Sequence, residues 1–553
     1  MTLPSPNVTR PILWGFACTL LLGSCRSGPG STADPARTSN GHVGPAVHMA
    51  ASGPARFVPS AYAAFDRKAA MRTVAFGDGY YRAPASAGYT AVLDHLEREL
   101  RNSGFGSDPR FQLEELIIDD DYPGWTPLGG KVTMQVNGRD EIMHSFEDES
   151  GRDRLMLAMG APACDVSGEA VFRIRDVRHG TILVTHSPPR ADVLRRARLA
   201  GAVAVLSSSL ASYNVQPGTM KHLEDALHLR RYPASATLPS GQLSRASHAR
   251  IQAAHDQHGS VTLHFEARTQ TTRRPLRMLA ATITGWRAPD EAVVMPSHVG
   301  YAGASDNASG FGAALTCAKL LADGIASTAL DAPDRSIVFL FGPEVDQSKA
   351  WLAQTKCTPI AAVTGVGCGD SPRHGGSPQY LERSKDPGAL VALAPDAHTQ
   401  WGMGDLEESD LRPDGLAVVA RCALFDLAQA AGPWSTADHP WEGGSDPDAF
   451  HAAGVPAILF WHFSSSWYHT SLDRLERIDP AELHRSAIAA LSTALALASP
   501  APGDLERYLK SVDIEEELRV QSALRAGNED LAAQWEDWSA QVRIWFGELC
   551  TKP

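Results

Sequence analysis

Short apolar runs alternate with segments of helical spacing through the second half of the chain. Buried strands are predicted at 279–283, 292–295, 336–341, 361–366 and 457–460, and helices at 310–321, 348–353 and 481–498. Strands that alternate with helices in this way are typical of a mostly parallel sheet covered on both faces. The predicted fold class is therefore α/β, with a mostly parallel sheet flanked by helices.

Residues 165–270 carry a second strand and helix pattern, which predicts a separate β-rich unit inserted into the main domain. Strands are predicted at 181–184 and 201–206, a helix at 191–199 and a closing strand at 261–265. This pattern resembles the protease-associated domain that is inserted into some exopeptidases. The resemblance implies that the unit shapes access of the substrate and carries no chemistry itself.

The first 25 residues have the form of an export signal. Arg10 gives a positive flank, and an apolar run of twelve residues at 12–23 ends in the letters LGSC at 22–25. The run is too short to span a membrane and precedes a small-residue cleavage site. Its end resembles a bacterial lipobox, which implies cleavage before Cys25 and a lipid on that sulfur. The expected location is therefore the bacterial cell envelope, at the outer membrane or facing the periplasm, and Arg26 in place of Asp after the cysteine favours the outer membrane in a diderm bacterium.

Length and charge limit the remaining possibilities. A chain of 553 residues is too long for one core, so several domains are expected. The net charge of −13 lacks the positive footprint of a nucleic-acid-binding protein, so no nucleic acid is expected as a partner. No apolar stretch approaches the roughly 18 residues of a membrane-spanning helix. A membrane is therefore expected as a partner only through the lipid anchor.

The candidate chemistry lies just after predicted strands. His298, Asp306, Glu344, Asp370 and His469 each follow a predicted strand or lie in a late loop. In parallel sheets, ligands bind beyond the carboxyl ends of the strands, so these side chains are expected to lie close together. Imidazoles and carboxylates form a ligand set that suits Zn²⁺. The sequence therefore predicts a zinc site at this edge of the sheet.

Three motifs resemble the zinc-dependent aminopeptidases of the bacterial leucyl aminopeptidase and glutamate carboxypeptidase type. They are GASDNASG at 303–310, GGSD at 443–446 and YHT at 468–470, the last followed by Asp473. The resemblance covers roughly residues 60–130 and 275–500. It implies that Asp306 bridges metal ions, that His298 and His469 are the first and last histidine ligands, and that Glu344 is the general base or a ligand. Asp446 is implied to orient the loop near the metal.

The chain departs from this family at three places. Gly300 stands where the family has an aspartate that orients the first histidine, and Val345 stands where the family has a second glutamate. Asp370 comes a few residues later than the family's strand-end aspartate. One or two zinc ions therefore both stay open. If Asp306, Glu344 and His469 hold a single ion, Asp370 is left as the base. If Glu344 is the base, the metal needs His298 or Asp370.

The predicted domains follow from these assignments. They are a signal peptide at 1–24, a flexible tether at 25–56, a peptidase domain in two parts at 57–164 and 271–502, the inserted domain at 165–270, and a helical C-terminal extension at 503–553. Leu505, Leu509, Val512 and Leu518 are the packing positions expected in that extension.

The expected function is an exported, lipid-anchored zinc aminopeptidase that releases N-terminal residues from a peptide substrate. Two alternatives stay open. One is a degenerate, non-catalytic binding lipoprotein on the same fold, which Gly300, Val345 and the late Asp370 favour. The other is a single-zinc enzyme similar to glutaminyl cyclases.

Overall fold

The computed structural model describes residues 51–211, 223–371, 376–391, 406–462 and 465–551. The predicted signal peptide, Cys25 and most of the predicted tether lie outside the described residues. Packed structure begins before residue 57, since Gly53–Arg56 forms a short 3-10 helix. Arg56 binds Asp504 of the C-terminal extension at 2.7 Å.

Helices and strands alternate through most of the described chain. The strands are β1 (Phe111–Val136), β2 (Arg139–Phe146), β3 (Cys164–Val171), β4 (Thr181–Thr185), β5 (Ala204–Ser207), β6 (Ser240–Gln242), β7 (Thr262–Ile283), β8 (Ala288–His298), β9 (Arg335–Gly342), β10 (Thr358–Val366), β11 (Gln379–Glu382), β12 (Thr436–His439) and β13 (Ala457–Trp461). The helices are α1 (Val58–Ala64), α2 (Arg67–Asp78), α3 (Ala87–Asn102), α4 (Ala191–Leu199), α5 (Arg245–His258), α6 (Ala308–Ala326), α7 (Asp346–Gln354), α8 (Leu416–Ala431), α9 (Pro447–Ala452), α10 (Pro480–Ala498), α11 (Pro502–Arg525) and α12 (Glu529–Thr551).

The described strands form one mixed sheet. Its order is β12-β11-β13-β10-β8-β9-β7-β3-β4-β5-β6, with β1 paired along β7 and β2 paired with β1. The neighbours β9, β8, β10 and β13 run parallel, whereas β7 is antiparallel to β9, β3 and β1. The predicted α/β class with a sheet flanked by helices is confirmed.

The central strands are buried on both faces, which explains their continuous apolar runs. On β9, Ile337, Phe339 and Phe341 face one core together with α6 and α10, while Val338 and Leu340 face a second core together with α7 and α9. Successive side chains of a strand point to opposite faces, so one apolar run supplies both cores.

The inserted unit supplies one end of the sheet. There β3, β4, β5 and β6 are parallel neighbours, and α4 and α5 cover them. β7 joins this end to the central strands without a linker, because it pairs with β3 at one end and with β9 at the other. The predicted boundary at residue 270 therefore falls inside β7. The identity of the unit as a protease-associated domain stays a prediction.

The C-terminal extension forms two antiparallel helices, α11 and α12, against α8 and the short 3-10 helix. Tyr508, Val512, Val520 and Ala523 are the apolar residues of α11 that are buried. Leu518 is 67% exposed, so its predicted packing role is wrong. It stands two positions before Val520, which places it about 200° around the helix from that buried residue.

No single described helix is long and apolar enough to cross a membrane. Helices α10 and α11 meet the length and composition test only as a pair that is bent by 118°, and α10 lies mostly in the core.

Candidate metal centre

Four of the five predicted site residues lie side by side at one edge of the sheet. His298 Nε2 lies 3.5 Å from Asp306 Oδ1 and 3.5 Å from Glu344 Oε1. His469 Nε2 lies 2.9 Å from Asp306 Oδ2. His298 and Asp306 are almost fully buried, while Glu344 and His469 are partly exposed. The cluster thus opens toward solvent on the side of Glu344 and His469.

Parallel strands bring these residues together. His298 is the last residue of β8, Glu344 comes two residues after β9, and His469 follows β13. Asp306 lies in the loop between β8 and α6. Asn307 fixes the start of α6, because its amide donates to His298 O at 3.1 Å and accepts from Gly367 N, beyond β10, at 3.2 Å. One amide therefore ties two strand ends together.

The backbone replaces the carboxylate that Gly300 lacks. His298 Nδ1 lies 3.0 Å from the carbonyl oxygen of Gly300, which can only accept, so Nδ1 carries the proton and donates. This leaves Nε2 facing Asp306 and Glu344. Histidine ligands of metals commonly use a backbone carbonyl in this way. Burial lowers the pKa of His298, but Glu344, Asp306 and Asp446 together raise it more, so it lies above its usual value.

Asp306 is held through its own backbone by Asp473. The Asp473 carboxylate accepts from Ser305 N at 2.6 Å and from Asp306 N at 3.0 Å. Burial raises the pKa of Asp306, but His469, His298 and Arg82 outweigh this, so the pKa lies below its usual value. Asp306 is therefore set up as an anion beside two imidazoles.

Two buried arginines anchor the loop that carries Asp306. Arg82 donates to Val299 O at 2.8 Å and to Gly303 O at 2.7 Å. Arg154 donates to Ala302 O and pairs with Asp78 at 3.2 Å. Each guanidinium satisfies carbonyls that are buried away from water, which would be costly to leave unpaired. Neither arginine belongs to a motif in the sequence, so sequence reasoning missed both.

Glu344 receives hydrogen bonds on both of its oxygens. Ser445 Oγ donates to Oε1 at 2.9 Å, and Tyr301 Oη donates to Oε2 at 2.8 Å. Arg231 of the inserted unit donates to Tyr301 Oη at 3.0 Å. Sequence reasoning missed Tyr301 and Arg231. The position of Tyr301 between His298 and Asp306 is the one available signal, and Arg231 gives none.

Asp446 supports the turn after Glu344. Its Oδ1 accepts from Val345 N and from Ser348 Oγ, both at 2.9 Å, and its Oδ2 accepts from Gln347 Nε2 at 2.8 Å. Val345 has φ +62°, a left-handed conformation that is costly for a β-branched residue. The Asp446 carboxylate holds that turn and thereby the backbone beside Glu344.

Asp370 has other partners. Its carboxylate accepts from Ser371 N at 2.9 Å and from Ser377 N at 3.4 Å. Burial raises its pKa to about 6. No ion pair joins Asp370 to His298 or His469 within the described ranges. A ligand or base role for Asp370 stays a prediction.

The donor atoms suit zinc when they are compared two at a time. Two ligands at about 2.0–2.1 Å from a tetrahedral ion lie roughly 3.3 Å apart, close to both 3.5 Å separations of His298 Nε2. His298 Nε2 and Asp306 Oδ2 are buried and make no hydrogen bond. Asp306 Oδ2 lies 2.9 Å from His469 Nε2. Among the described residues, no three His, Cys, Asp or Glu side chains are placed to hold one ion together.

No protein family model and no curated protein matches the chain by sequence. Solved structures do resemble it. One is the peptidase M28 precursor from Shewanella amazonensis SB2B, with 16% identity, a TM-score of 0.54 and coverage of 81% of this chain and 97% of that one. Another is a putative peptidase from Clostridium acetobutylicum, with 13% identity, a TM-score of 0.50 and coverage of 80% and 82%. At these identities the likeness shows the fold.

Proposed function

We propose that the chain is a zinc-dependent aminopeptidase that hydrolyses the first peptide bond of a peptide. The observation that carries the proposal is the cluster of His298, Asp306, Glu344 and His469 at the carboxyl edge of the parallel strands. A metallohydrolase needs imidazole and carboxylate donors beside a carboxylate that can move a proton. The resemblance of the motifs at 303–310 and 468–470 to zinc aminopeptidases supports the choice of substrate.

His298, Asp306 and His469 would hold the zinc, and Glu344 would then serve as the general base. Bound zinc supplies Lewis-acid chemistry, which polarises a carbonyl and makes water acidic. Glu344 Oε1 lies 3.5 Å from His298 Nε2. It is therefore placed to take a proton from the attacking water and to return it to the leaving amine. Asp306 and His469 would have to move apart for this, because their 2.9 Å contact is shorter than the roughly 3.3 Å between two ligands of one ion and no three of the described side chains are placed to hold one ion as they stand.

A binding protein without catalysis is the second candidate. Both oxygens of Glu344 are occupied by Tyr301 and Ser445, and Asp306 and His469 are already in contact. These contacts favour a closed, metal-free cluster. Under this alternative the edge of the sheet would bind a peptide and leave it intact.

Zinc content and hydrolysis of aminoacyl-arylamides separate the two. The aminopeptidase is expected to contain one or two zinc ions and to release the arylamine. Glu344→Gln is expected to keep the zinc and lose about 10²–10⁴-fold in kcat, because the amide cannot take a proton. Glu291→Gln is the control, since Glu291 pairs with Arg335 near the start of β8, at the end opposite His298, and is expected to leave kcat unchanged. A chain without zinc or hydrolysis would support the binding protein.

We propose further that the protein is exported and anchored to the cell envelope by a lipid on Cys25, and that residues 165–270 are a protease-associated domain. The sequence patterns support both proposals. Labelling with a radioactive fatty acid, followed by fractionation of membranes, tests the anchor. The wild-type chain is expected to carry label in the membrane fraction, and Cys25→Ser is expected to carry none. Label on Cys25→Ser would contradict the anchor.

A further inference from the structure

The inserted unit reaches the candidate site through one segment, residues 223–231, named here the inner segment. Its backbone pairs with the loop that carries His469. Leu229 N donates to His469 O at 2.7 Å, and Ser471 N donates to Leu227 O at 2.8 Å. The inner segment therefore fixes the backbone of one predicted ligand.

Apolar contacts strengthen this junction. Leu223 and Ala226 of the inner segment form a buried cluster with Trp467 and Leu472, on either side of His469. Leu227 N also donates to Ser471 Oγ at 3.0 Å. Hydrogen bonds and buried apolar surface thus act at the same place, so the inner segment is packed against the site and does not merely pass near it.

Arg231, the last residue of the inner segment, reaches the cluster through Tyr301. Its guanidinium donates to Tyr301 Oη at 3.0 Å and lies 5.5 Å from the centre of the Tyr301 ring. Tyr301 in turn donates to Glu344 Oε2 at 2.8 Å. Two consecutive hydrogen bonds therefore join the inserted unit to the candidate base.

The backbone at Arg231 is fixed on both sides. Met159 N donates to Arg230 O, and Tyr232 N donates to Met159 O, both at 2.8 Å. Within the described ranges, no carboxylate lies within ion-pair distance of Arg231. A cationic donor on Tyr301 Oη strengthens the hydrogen bond that the same hydroxyl donates to Glu344, because consecutive hydrogen bonds polarise one another.

We propose that Arg231 is a positioning residue for Glu344, acting through Tyr301, so that the inserted unit is a working part of the active site. This inference rests on the proposed function. Arg231 touches neither reacting atoms nor the predicted ligands. It holds the hydroxyl of Tyr301 in the direction that keeps one oxygen of Glu344 fixed while the other faces His298.

The first test uses hydrolysis of a leucyl arylamide by the full zinc-loaded chain. Arg231→Met and Tyr301→Phe are each expected to lower kcat about tenfold with little change in KM, because a misplaced base slows the chemical step and leaves binding intact. The double variant is expected to lose no more than Tyr301→Phe alone. Arg231→Lys, which keeps a cationic donor, is expected to recover part of the loss.

Arg230→Met is the matched control. It removes the same charge from the same segment, but Arg230 binds Ser209 and not Tyr301, so kcat is expected to stay at the wild-type value. Additive losses in the double variant, or a change confined to KM, would contradict the proposal that Arg231 acts through Tyr301, because Arg231 would then act on the substrate directly.

The second test does not need activity. The melting temperatures of Arg231→Met, Tyr301→Phe, the double variant and wild type form a cycle. The shift caused by Arg231→Met is expected to disappear in the Tyr301→Phe background. An equal shift of the melting temperature in both backgrounds would contradict the proposal that Arg231 acts through Tyr301. If the wild-type chain hydrolyses no arylamide, the aminopeptidase proposal fails, and the melting cycle still decides whether Arg231 acts through Tyr301.

Discussion

Two edges of parallel strands in this molecule carry histidines, and they differ in what surrounds the imidazoles. At the end of β8, His298 lies between the carboxylates of Asp306 and Glu344. In the inserted unit, His186 follows β4, and His248 lies in the helix after β6. There the hydroxyl of Ser208, which follows β5, lies 2.7 Å from Nδ1 of both rings. The two rings stack with their centres 3.9 Å apart.

The difference is one of charge. His298 faces anions, which hold its pKa above the usual value despite burial. Burial, His186 and Arg245 lower the pKa of His248 to about 4. Within the described ranges, no carboxylate forms an ion pair with His186 or His248. The end of a parallel strand collects polar side chains in both places, but only the edge with carboxylates has the electrostatics to hold a cation.

The edge of the sheet that carries His298, Asp306 and Glu344 is called here the main edge. The largest effect is expected from Asp306→Asn, which removes an anion from this main edge. Zinc content of the purified protein is expected to fall to background, and arylamide hydrolysis with it, because a neutral amide is a poor ligand for zinc. Elemental analysis and a hydrolysis assay measure the two. His248→Asn is the control at the other edge and is expected to keep both. Loss of zinc in His248→Asn alone would reverse the comparison.

A smaller effect is expected from Asp473→Asn. Asparagine offers one acceptor oxygen, so the backbone N–H of Ser305 or of Asp306 loses its partner and the loop shifts. Supports of this kind typically contribute about 10–100-fold to metal affinity, which competition with a zinc chelator measures. Asp414→Asn is the matched control, since burial raises the pKa of both aspartates to about 7 and Asp414 likewise accepts from a backbone N–H. Equal zinc affinity in the two variants would speak against a role for Asp473.

The smallest effect is expected in the pH dependence of stability. Because the pKa of His248 is about 4 in the folded chain and 6.5 when unfolded, the unfolded chain binds the extra proton between these values. The free energy of unfolding is therefore expected to fall as pH drops from 6.5 to 4. Urea unfolding of His248→Asn is expected to show a weaker decline.

The metal-free main edge is expected to behave in the opposite sense. The raised pKa of His298 gives stability that is present below pH 6.5 and is lost as pH rises through the folded pKa. As pH rises above 6.5, the free energy of unfolding of His298→Asn is therefore expected to fall less than that of the wild-type chain. A decline of the same sign for both histidines would contradict the electrostatic contrast between the edges.

Much of the main edge could be predicted because its signals are local. The apolar runs of β8 and β9 are continuous in sequence, and His298 and Glu344 come at or just after their ends. The Asp-Asn pair opens α6 after a tight loop. Neighbouring parallel strands then leave little freedom in where these side chains lie. The spatial neighbours of Glu344 were harder, because Arg231 and Tyr301 meet across 70 residues of chain.

The antiparallel strand β1 escaped prediction for a different reason. β1 runs over 26 residues with a largely exposed first half, so its residues lack the apolar run of a buried strand. Its stability comes from pairing with β7, which lies more than a hundred residues later. A partner so distant leaves no mark on the local pattern. Leu518 shows the reverse case. It is an apolar residue at helical spacing, but it is exposed because the partner helix packs on another face of α11.

The strand β7 has a mechanical consequence. It is one strand of 22 residues that belongs to both parts of the sheet, with β1 alongside it over its whole length. A hinge between the inserted unit and the rest of the chain would have to bend two paired strands, which is stiffer than a loop. The register of β1 is irregular between Ile117 and Tyr122 and again between Pro127 and Gly129. Any flexing of the inserted unit against the rest of the chain is therefore expected at these irregular positions of β1.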